Sequence, residues 1–345
     1  MRREQRPRAV NQISLRFLNR AQVESLLPPP RDLVAVIEQG LHAHGAGETV
    51  LPPKSHLVLD HLVNGHFNIL SGYVGPIDCA GVKVIGDYVD NWKHNLPSEI
   101  GLLTLYDPQT GVPFCLMDAT SLTWQRTGAV TCVGARQLAR ADARVVTHLG
   151  ARGSAFQNLR LLSDAFRLDE IRIASKRPES RERLAARVRD ELGVLCVPVD
   201  DAAAACRDAD IIIEATRLER PEVLIPADAV KPGALIVTYG WKMAVDPELP
   251  FRMDKLVVDD WAQCRHGGAL HPLIDSGRLT GDHIHAEIGQ IVCGAKPGRQ
   301  SDAERILFWH RGFAISDIVL GHAIHARAEK EGVGIMLPLL EAAEE

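Results

Sequence analysis

The chain has 345 residues, 46% hydrophobic and 24% charged, which is ordinary for a soluble globular protein and long enough for two domains. A net charge of −5 does not support nucleic-acid binding, which requires a basic face. The seven cysteines include no C-x-x-C pair, so neither a disulfide framework nor a structural zinc site is indicated. No apolar run has membrane-spanning length, and the basic residues 1–8 lead into no signal segment. We therefore expect a cytoplasmic protein that binds neither membrane nor nucleic acid.

The first 120 residues predict two helices and a largely antiparallel sheet. Asn19 can cap a short helix that three prolines, residues 28–30, bring to an end. The second helix is predicted at residues 32–44, where apolar side chains recur on one face. A hairpin turn is predicted at residues 107–111. The predicted strands occupy residues 13–18, 56–59, 66–70, 81–85, 101–106 and 112–117.

From about residue 120, strands alternate with helices, which predicts a doubly wound parallel sheet. The predicted strands occupy residues 145–149, 171–174, 194–199, 210–216, 234–239 and 256–259. The predicted helices occupy residues 123–138, 156–166, 179–192, 202–207 and 314–330. We expect the last helix to return to the first half of the chain. The fold class is therefore α/β: a Rossmann domain, residues 123–312, plus an α+β domain for substrate binding and dimerisation, residues 1–122 and 313–345.

A glycine turn joins the strand at 145–149 to the following helix. Backbone N–H groups and the dipole at a helix start favour a pyrophosphate, so this turn predicts a dinucleotide site. The residues expected to hold it are Gly150, Ala151, Arg152, Gly153 and Ser154. The middle glycine of the G-x-G-x-x-G/A frame is replaced by Arg152, so either the turn is rebuilt around Gly153 or the guanidinium faces the phosphates. The alternative is an ordinary strand-to-helix turn.

The next strand ends in Ser175, Lys176 and Arg177. NAD-preferring folds usually place an acidic residue here to hold the ribose 2′-hydroxyl. Two cations and no carboxylate suit a 2′-phosphate instead. The sequence therefore favours NADP(H), with NAD(H) possible, and the alternative is a solvated basic loop.

Several segments together resemble the ornithine cyclodeaminase/μ-crystallin family, over about residues 50–332. No single motif is specific, but their order and spacing are those of the family. The segments are the lysine-bearing strand 81–84, the hairpin 107–111, the T-x-x-R-T helix start 123–127, the glycine turn, segments 209–216, 231–234, 294–299 and 308–312, and Asp317.

The resemblance implies a substrate-binding and dimerising domain, made by the N-terminal part with the last helix, and an NAD(P)-binding middle part. Family members are cyclodeaminases, amino-acid dehydrogenases or imine reductases, all acting at the α-carbon of amino acids, while μ-crystallin is an NADPH-dependent binding protein. We expect a homodimer with a small amino, imino or keto acid as substrate. Residues expected to line the cofactor cleft are Thr123, Arg126, Thr127, Thr216, Gly240 and His310.

Lys83 is the first candidate catalytic residue. It lies in the middle of an apolar strand, where burying a lysine costs free energy unless its ammonium is paired or takes part in the chemistry. By resemblance it contacts the substrate carboxylate or the reacting nitrogen and shuttles a proton. The alternative is that the Lys83 side chain lies on the solvent-facing side of the sheet. Arg126 is the second candidate, because its fork suits a phosphate or a carboxylate; the alternative is a surface cation.

Three further residues are candidates for the substrate pocket. Lys54 occupies the place of a family arginine that grips the substrate carboxylate, and keeps the charge without the bidentate geometry. His66 lies near the pocket, although a lone strand histidine is more often structural. His310 either reaches the nicotinamide side of the pocket or only packs against neighbouring side chains. No metal site is predicted, since the spacing of the aspartates at 259–260 and the histidines at 266 and 271 matches no ligand motif.

Lys242 departs from the family pattern. In cyclodeaminases the position two residues after Gly240 holds an aspartate that acts in ring closure and deamination. A cation there disfavours the cyclodeaminase reaction, and we count Lys242 with Lys83 and Arg126 as candidate catalytic residues. The sequence thus predicts an NAD(P)-dependent oxidoreductase acting at the α-carbon of an amino or imino acid. The alternatives are an ornithine cyclodeaminase, forming proline and ammonia, and a μ-crystallin-like NADPH-binding protein with little turnover.

Overall fold

The computed structural model describes residues 12–59 and 61–340, so the basic start at residues 1–8 lies outside the described part. The described residues form two eight-stranded sheets, and the prediction of an α/β fold with a second domain is confirmed. The strands of the first sheet are β1 (Ile13–Leu18), β2 (Thr49–Val50), β3 (Ser55–Val58), β4 (Gly65–Val74), β5 (Cys79–Tyr88), β6 (Glu99–Tyr106), β7 (Pro113–Asp118) and β16 (Ile335–Leu340). Those of the second are β8 (Val145–Leu149), β9 (Glu170–Ala174), β10 (Leu195–Val199), β11 (Ile211–Glu214), β12 (Leu235–Thr238), β13 (Lys255–Val258), β14 (Ala286–Glu287) and β15 (Ile306–Trp309).

The described helices cover both faces of the second sheet and one face of the first. Their bounds are α1 (Arg20–Ser25), α2 (Pro30–Gly45), α3 (Thr120–Leu138), α4 (Ala155–Ala165), α5 (Pro178–Leu192), α6 (Ala202–Cys206), α7 (Leu249–Arg252), α8 (Trp261–Cys264), α9 (His271–Asp275), α10 (Ile288–Val292) and α11 (Ala314–Glu331). Asn19 caps α1 as predicted, and its side chain accepts from Gln22 N at 3.0 Å. The predicted start of the second helix was two residues late. Pro30 is its first residue, where a missing N–H costs nothing.

The first sheet has the order β16-β1-β7-β6-β5-β4-β2, with β3 also on β4. It is largely antiparallel, as predicted, and β1 and β7 form its parallel pair. The strands β4 and β5 are ten residues long each, longer than their predicted apolar cores, because they form one continuous ladder. The edge strand β16 was not predicted; it pairs antiparallel with β1 across the length of the chain.

The second sheet is parallel throughout, with the order β10-β9-β8-β11-β12-β15-β13-β14. The order changes direction between β8 and β11, and ligands of doubly wound sheets bind at such a switch point. The strand β15 was not predicted, although it is completely buried between β12 and β13. Only four residues long and flanked by charged residues, it lacks the length that makes an isolated apolar run recognisable.

The helix α11 returns to the first sheet, as predicted. It comes so close to β5 that a Cβ at Gly81 would lie 2.7 Å from Ile318 Cγ1. On β6, Leu103 Cδ2 would lie 2.5 Å from a Cβ at Gly321 of the helix. These glycines allow the first turn of α11 to lie directly beneath β5, which brings Asp317 under Lys83. Among the described helices, none combines the length and the apolar character needed to cross a membrane.

Candidate active site

Three charged side chains from β5, α3 and α11 meet beneath the first sheet. The Lys83 ammonium donates to Asp317 Oδ1 at 2.7 Å and to Thr123 Oγ1 at 3.2 Å. The Arg126 Nε donates to the same carboxylate oxygen at 2.9 Å. Lys83 is 1% exposed and Asp317 is 0% exposed, so the alternative of a solvent-facing lysine is wrong. The alternative of Arg126 as a surface cation is also wrong, since its side chain is buried.

This cluster carries more positive than negative charge. Burial and the charge of Arg126 together lower the pKa of Lys83 to about 8, and Asp317 opposes both effects. The Asp317 Oδ1 atom accepts the hydrogen bonds from both Lys83 and Arg126, and the buried Oδ2 has no hydrogen-bond partner among the described residues. Two cations thus share one carboxylate, an arrangement that an anionic ligand would complete.

Gly312 and Lys54 adjoin this cluster. A Cβ on Gly312 would lie 2.1 Å from Arg126 Nη1, and Gly312 has a φ of 71°, so only glycine suits the position. The Lys54 ammonium donates to the backbone oxygen of Arg311 at 2.9 Å. Burial, with the charge of Arg311, holds the pKa of Lys54 well below its ordinary value. Lys54 therefore lies next to Arg126 across Gly312, and its role in binding a substrate carboxylate stays a prediction.

Asp259 shapes the loop that follows β15. Its Oδ2 accepts from the backbone N–H groups of Arg311 and Gly312, each at 2.7 Å. Burial raises the pKa of this carboxyl, and the charge of Lys54 opposes the rise. Asp259 thereby fixes the loop in which Arg311 lies beside Lys54 and Gly312 lies against Arg126. Sequence reasoning placed Asp259 only among unused metal-type residues and missed this role.

An aromatic and basic group adjoins the loop after β15; we name it the Trp241 box, made by His56, His66, Trp241 and Arg311. The Trp241 ring centroid lies 5.4 Å from that of His56 and 5.6 Å from that of His66. The Arg311 guanidinium carbon lies 5.3 Å from the Trp241 centroid. Asn68 donates to His66 Nε2 at 3.3 Å. The predicted pocket residue His66 is thus part of the box, whereas Trp241 and Arg311 were not predicted to contribute.

The glycine turn after β8 has the features of a phosphate site. Gly150 has a φ of 102°, and a Cβ there would lie 2.7 Å from the oxygen of Ala215. Ser154 precedes α4 but makes no capping bond, because its hydroxyl lies 2.8 Å from the Tyr239 hydroxyl. The first N–H groups of α4 therefore have no side-chain cap, as a bound pyrophosphate requires. The Arg152 side chain is exposed beside the turn.

A buried polar network that sequence reasoning missed supports this turn. His148 Nδ1 donates to the oxygen of Gly150 at 2.8 Å, and Nε2 accepts from Asn158 at 3.0 Å. Asn158 also donates to the Tyr239 hydroxyl at 2.6 Å. Burial lowers the pKa of His148 to about 4 and raises that of Tyr239 to about 12, so both are neutral at pH 7. A neutral network keeps the turn in one shape without adding charge near the phosphates.

Glu214 organises the second edge of the predicted cofactor cleft. Its carboxylate accepts from the Thr216 backbone N–H at 2.8 Å and from the Thr238 hydroxyl at 2.7 Å. A Cβ at Gly240 would lie 2.7 Å from Glu214 Oε2, so the carboxylate occupies the space beside this glycine. Burial raises the pKa of Glu214. The predicted cleft residues Thr216 and Gly240 therefore lie together at the ends of β11 and β12.

The remaining predicted residues are distributed as follows. Lys176 and Arg177 are exposed after β9, and the Ser175 hydroxyl donates to the backbone of Arg177 at 3.2 Å. The Thr127 hydroxyl donates to the backbone oxygen of Thr123 at 2.7 Å. Lys242 lies half-buried in the loop after β12.

His310 packs inside the second domain. It is 1% exposed, its ring centroid lies 4.8 Å from that of Tyr239, and its Nε2 lies 3.2 Å from Thr131 Oγ1. Burial lowers its pKa to about 3, so the imidazole is neutral.

Polar contacts join the domains on two sides of the cluster. Arg217 follows β11 and pairs with Asp87 at 2.8 Å and with Glu99 at 2.9 Å, both on the first sheet. On the other side, His44 of α2 lies 3.2 Å from Asp260 Oδ2, and Glu287 lies nearby. These carboxylates also accept backbone N–H groups, which gives them a structural role at the interface.

The fold and these groups can be compared with known proteins. The model of the ornithine cyclodeaminase/mu-crystallin family matches residues 14–332. The chain belongs to this family. An alanine dehydrogenase of Archaeoglobus fulgidus is 28% identical over 322 residues, covering 92% of this chain and 96% of the relative. The structure is similar to that of Thermococcus litoralis Delta(1)-pyrroline-2-carboxylate reductase in complex with NADH and L-proline, with a TM-score of 0.88, 28% identity and coverage of 93% and 99% of the two chains.

An archaeal alanine dehydrogenase dimer with bound NAD is similar to the same extent. Its TM-score is 0.88 at 26% identity, with 95% of this chain and all of that chain covered. The family resemblance seen in the sequence is thus confirmed, and the match covers residues 14–332, nearly the whole chain. Family membership explains why Lys83, Arg126 and the glycine turn could be singled out. Asp317, Asp259 and Glu214 were not predicted as partners of these residues, although Asp317 and Glu214 lie in segments that resemble the family.

Proposed function

We propose that this protein is an NAD(P)-dependent oxidoreductase acting at the α-carbon of an amino or imino acid. The observation that carries the proposal is the buried Lys83–Asp317–Arg126 cluster beside a glycine turn that suits a pyrophosphate. The helix α3 connects the two, since Thr123 and Arg126 face the cluster while a Cβ at Gly128 would lie 2.9 Å from the backbone of Gln157 in α4. The relatives and similar structures named above are dehydrogenases and reductases of such substrates.

Each of these side chains has a separate role in the proposed reaction. When bound, the nicotinamide cofactor supplies or accepts the hydride. Arg126 bonds Asp317 through Nε, which leaves its terminal amino groups to hold a substrate carboxylate with Lys54. Lys83, with a pKa of about 8, can give a proton to the substrate nitrogen during reduction and take it back during oxidation. Burial of the cluster excludes water from this exchange.

Lys242 favours reduction or dehydrogenation over cyclodeamination. Ring closure requires a general base near the side-chain amine of ornithine, and the half-buried Lys242 offers a cation instead. We therefore propose an imine or keto-acid reductase, or an amino-acid dehydrogenase, rather than an ornithine cyclodeaminase.

A turnover panel tests the proposal. Purified protein should oxidise NADPH with small 2-oxo acids plus ammonia or methylamine, or with cyclic imines such as pyrroline-2-carboxylate. Calorimetric binding of NADPH without turnover in any assay would instead identify a binding protein of the μ-crystallin kind. Formation of proline from ornithine without net cofactor change would identify a cyclodeaminase and contradict the role proposed for Lys242.

We propose NADP(H) as the preferred cofactor, on the basis of the exposed Lys176 and Arg177 after β9. Replacing both residues by alanine should raise the dissociation constant for NADPH on the order of 100-fold, since each charged bond to a phosphate contributes about 1.5 kcal/mol. The dissociation constant for NADH should change less than about threefold. Fluorescence titration measures both, with Lys330→Ala, an exposed lysine at the end of α11, as the matched control. Equal losses for both cofactors would contradict the 2′-phosphate assignment.

We also propose a homodimer formed through the outer face of the first sheet. Val84 on β5 and Leu102 on β6 are neighbours in register and are 40% and 47% exposed. Ile100 on the same face is 46% exposed. A contiguous apolar sheet face of this kind is typical of a protein–protein contact, and the archaeal alanine dehydrogenase is a dimer.

A further inference from the structure

The Trp241 box and the adjoining Lys83–Asp317–Arg126 cluster together contain more cationic and donor groups than a monocarboxylate substrate requires. Lys54, Arg126 and Lys83 already provide the cations for one carboxylate beside the reacting carbon. Arg311 adds a fourth basic group, and the buried carboxylates nearest to these groups are Asp317, Asp259 and Asp260. Asp259 bonds the backbone N–H of Arg311, and among the described residues no carboxylate bonds the guanidinium. The four basic groups outnumber these three carboxylates, so the region favours an anionic ligand.

The Arg311 guanidinium is held in a defined position. Its Nη1 donates to the oxygen of Gln263 at 2.7 Å. Behind it, a Cβ at Gly268 would lie 2.9 Å from Nε, and one at Gly267 would lie 3.2 Å from Nη2. Both glycines have positive φ, 94° and 148°, so the backbone is shaped to make room for this group. A guanidinium fixed in this way is pre-organised to bind a planar anion.

His56 lies on the other side of the same space, on β3. Its Nε2 lies 3.4 Å from Arg311 Nη2, and its buried Nδ1 has no hydrogen-bond partner among the described residues. Burial, with the charges of Lys54 and Arg311, lowers the pKa of His56 to about 4, so the ring is neutral at pH 7. A neutral imidazole whose Nε2 accepts from Arg311 carries its proton on Nδ1, which makes Nδ1 an unused donor.

Lys54 connects the box to the reaction site. Its ammonium lies 2.9 Å from the Arg311 oxygen and 3.4 Å from the Gly312 oxygen, and Gly312 packs on Arg126. Arg311 and Arg126 are thus separated by one residue and the Lys54 ammonium. A ligand with two carboxylates can therefore contact Arg126 with one and Arg311 with the other. Trp241, 45% exposed, covers the outer side of the box.

We propose that the Trp241 box binds a second carboxylate, so that the preferred substrates are 2-imino dicarboxylic acids formed from 2-oxo dicarboxylates and ammonia or an amine. This inference rests on the proposed function and names its substrate class. The amine condenses with the oxo group with loss of water. The imine carbon then receives hydride from the reduced nicotinamide and the nitrogen receives a proton, which gives a 2-amino dicarboxylate and the oxidised cofactor.

The test compares substrates that differ in one charge. With NADPH and ammonia, kcat/KM for 2-oxoglutarate or oxaloacetate should exceed that for the corresponding distal methyl ester about 10- to 100-fold. In Arg311→Met this ratio should fall to about 1, and Arg311→Lys should retain part of it. Arg183→Met, an exposed arginine on α5, is the matched control and should keep the wild-type ratio.

A second variant and a binding measurement separate specificity from misfolding. His56→Gln removes the donor from the opposite sheet and should lower the same ratio about 3- to 10-fold, with an unchanged melting temperature. Calorimetry on the NADP⁺ complex should show glutarate binding at least tenfold more tightly than pentanoate, a difference that Arg311→Met removes.

The possible failures are distinguishable. Turnover of monocarboxylates with no preference for dicarboxylates would overturn the inference and leave the proposed function intact. Absence of NADPH oxidation with every oxo acid would count against the proposed function, and the glutarate–pentanoate comparison would then still decide whether the box binds a second carboxylate. Equal binding of the two acids would overturn it.

Discussion

Replacing Lys83 by methionine should lower kcat for imine reduction about 10²- to 10⁴-fold, the range that a positioned proton donor contributes. Methionine keeps the length of the side chain and loses the ammonium that lies 2.7 Å from Asp317. Stopped-flow measurement of NADPH oxidation at saturating substrate gives the rate of the chemical step. Binding of NADPH should be retained, because the predicted phosphate contacts are on the glycine turn and after β9.

The pH profile distinguishes a proton donor from a residue that only positions the substrate. Since the pKa of Lys83 is about 8, kcat/KM for reduction should be highest below pH 8 and should fall above it, as the ammonium loses its proton. The oxidative direction needs the free amine and should rise through the same pH. Both inflections should disappear in Lys83→Met. A profile that stays the same in this variant would contradict the assignment and leave Lys83 as a structural partner of Asp317.

Replacing Asp317 by asparagine should destabilise the protein by about 3–5 kcal/mol, because it leaves two buried cations without their counter-charge. Lys83 and Arg126 both bond the same carboxylate oxygen, in a setting where Asp317 is completely buried. The loss should appear as a lower urea midpoint for the unfolding of the first sheet and α11, followed by circular dichroism.

Two comparisons make this result specific. Asp164 pairs with Arg31 at 3.5 Å on the surface, and Asp164→Asn should change stability by less than about 1 kcal/mol. Adding Lys83→Met to Asp317→Asn should cost less than the sum of the two single changes, since it removes one of the unpaired cations. A loss below about 1 kcal/mol for Asp317→Asn, or simple additivity in the double variant, would contradict the account of a charge-coupled cluster.

Local patterns in the chain were sufficient to predict most of the architecture. The alternation of short apolar strands with amphipathic helices predicted the parallel sheet, and the hairpin signals predicted the antiparallel sheet. Both follow from periodicities within about ten neighbouring residues. The strands β15 and β16 were not predicted, because each depends on partners that lie elsewhere in the chain. The strand β15 pairs with β12 and β13, and β16 pairs with β1.

The active-site candidates show the same division. Lys83, Arg126, the glycine turn and the basic pair at 176–177 could be chosen from residue type and family resemblance. Their contacts could not, because the pairing of Asp317 with Lys83 exists only once α11 lies under a strand more than 200 residues earlier. The arginine of the Trp241 box likewise acquires its role from two glycines, a histidine and a tryptophan that separate segments supply. Local sequence specifies which groups are present, whereas their charge balance and pKa values depend on contacts that only the packed chain creates.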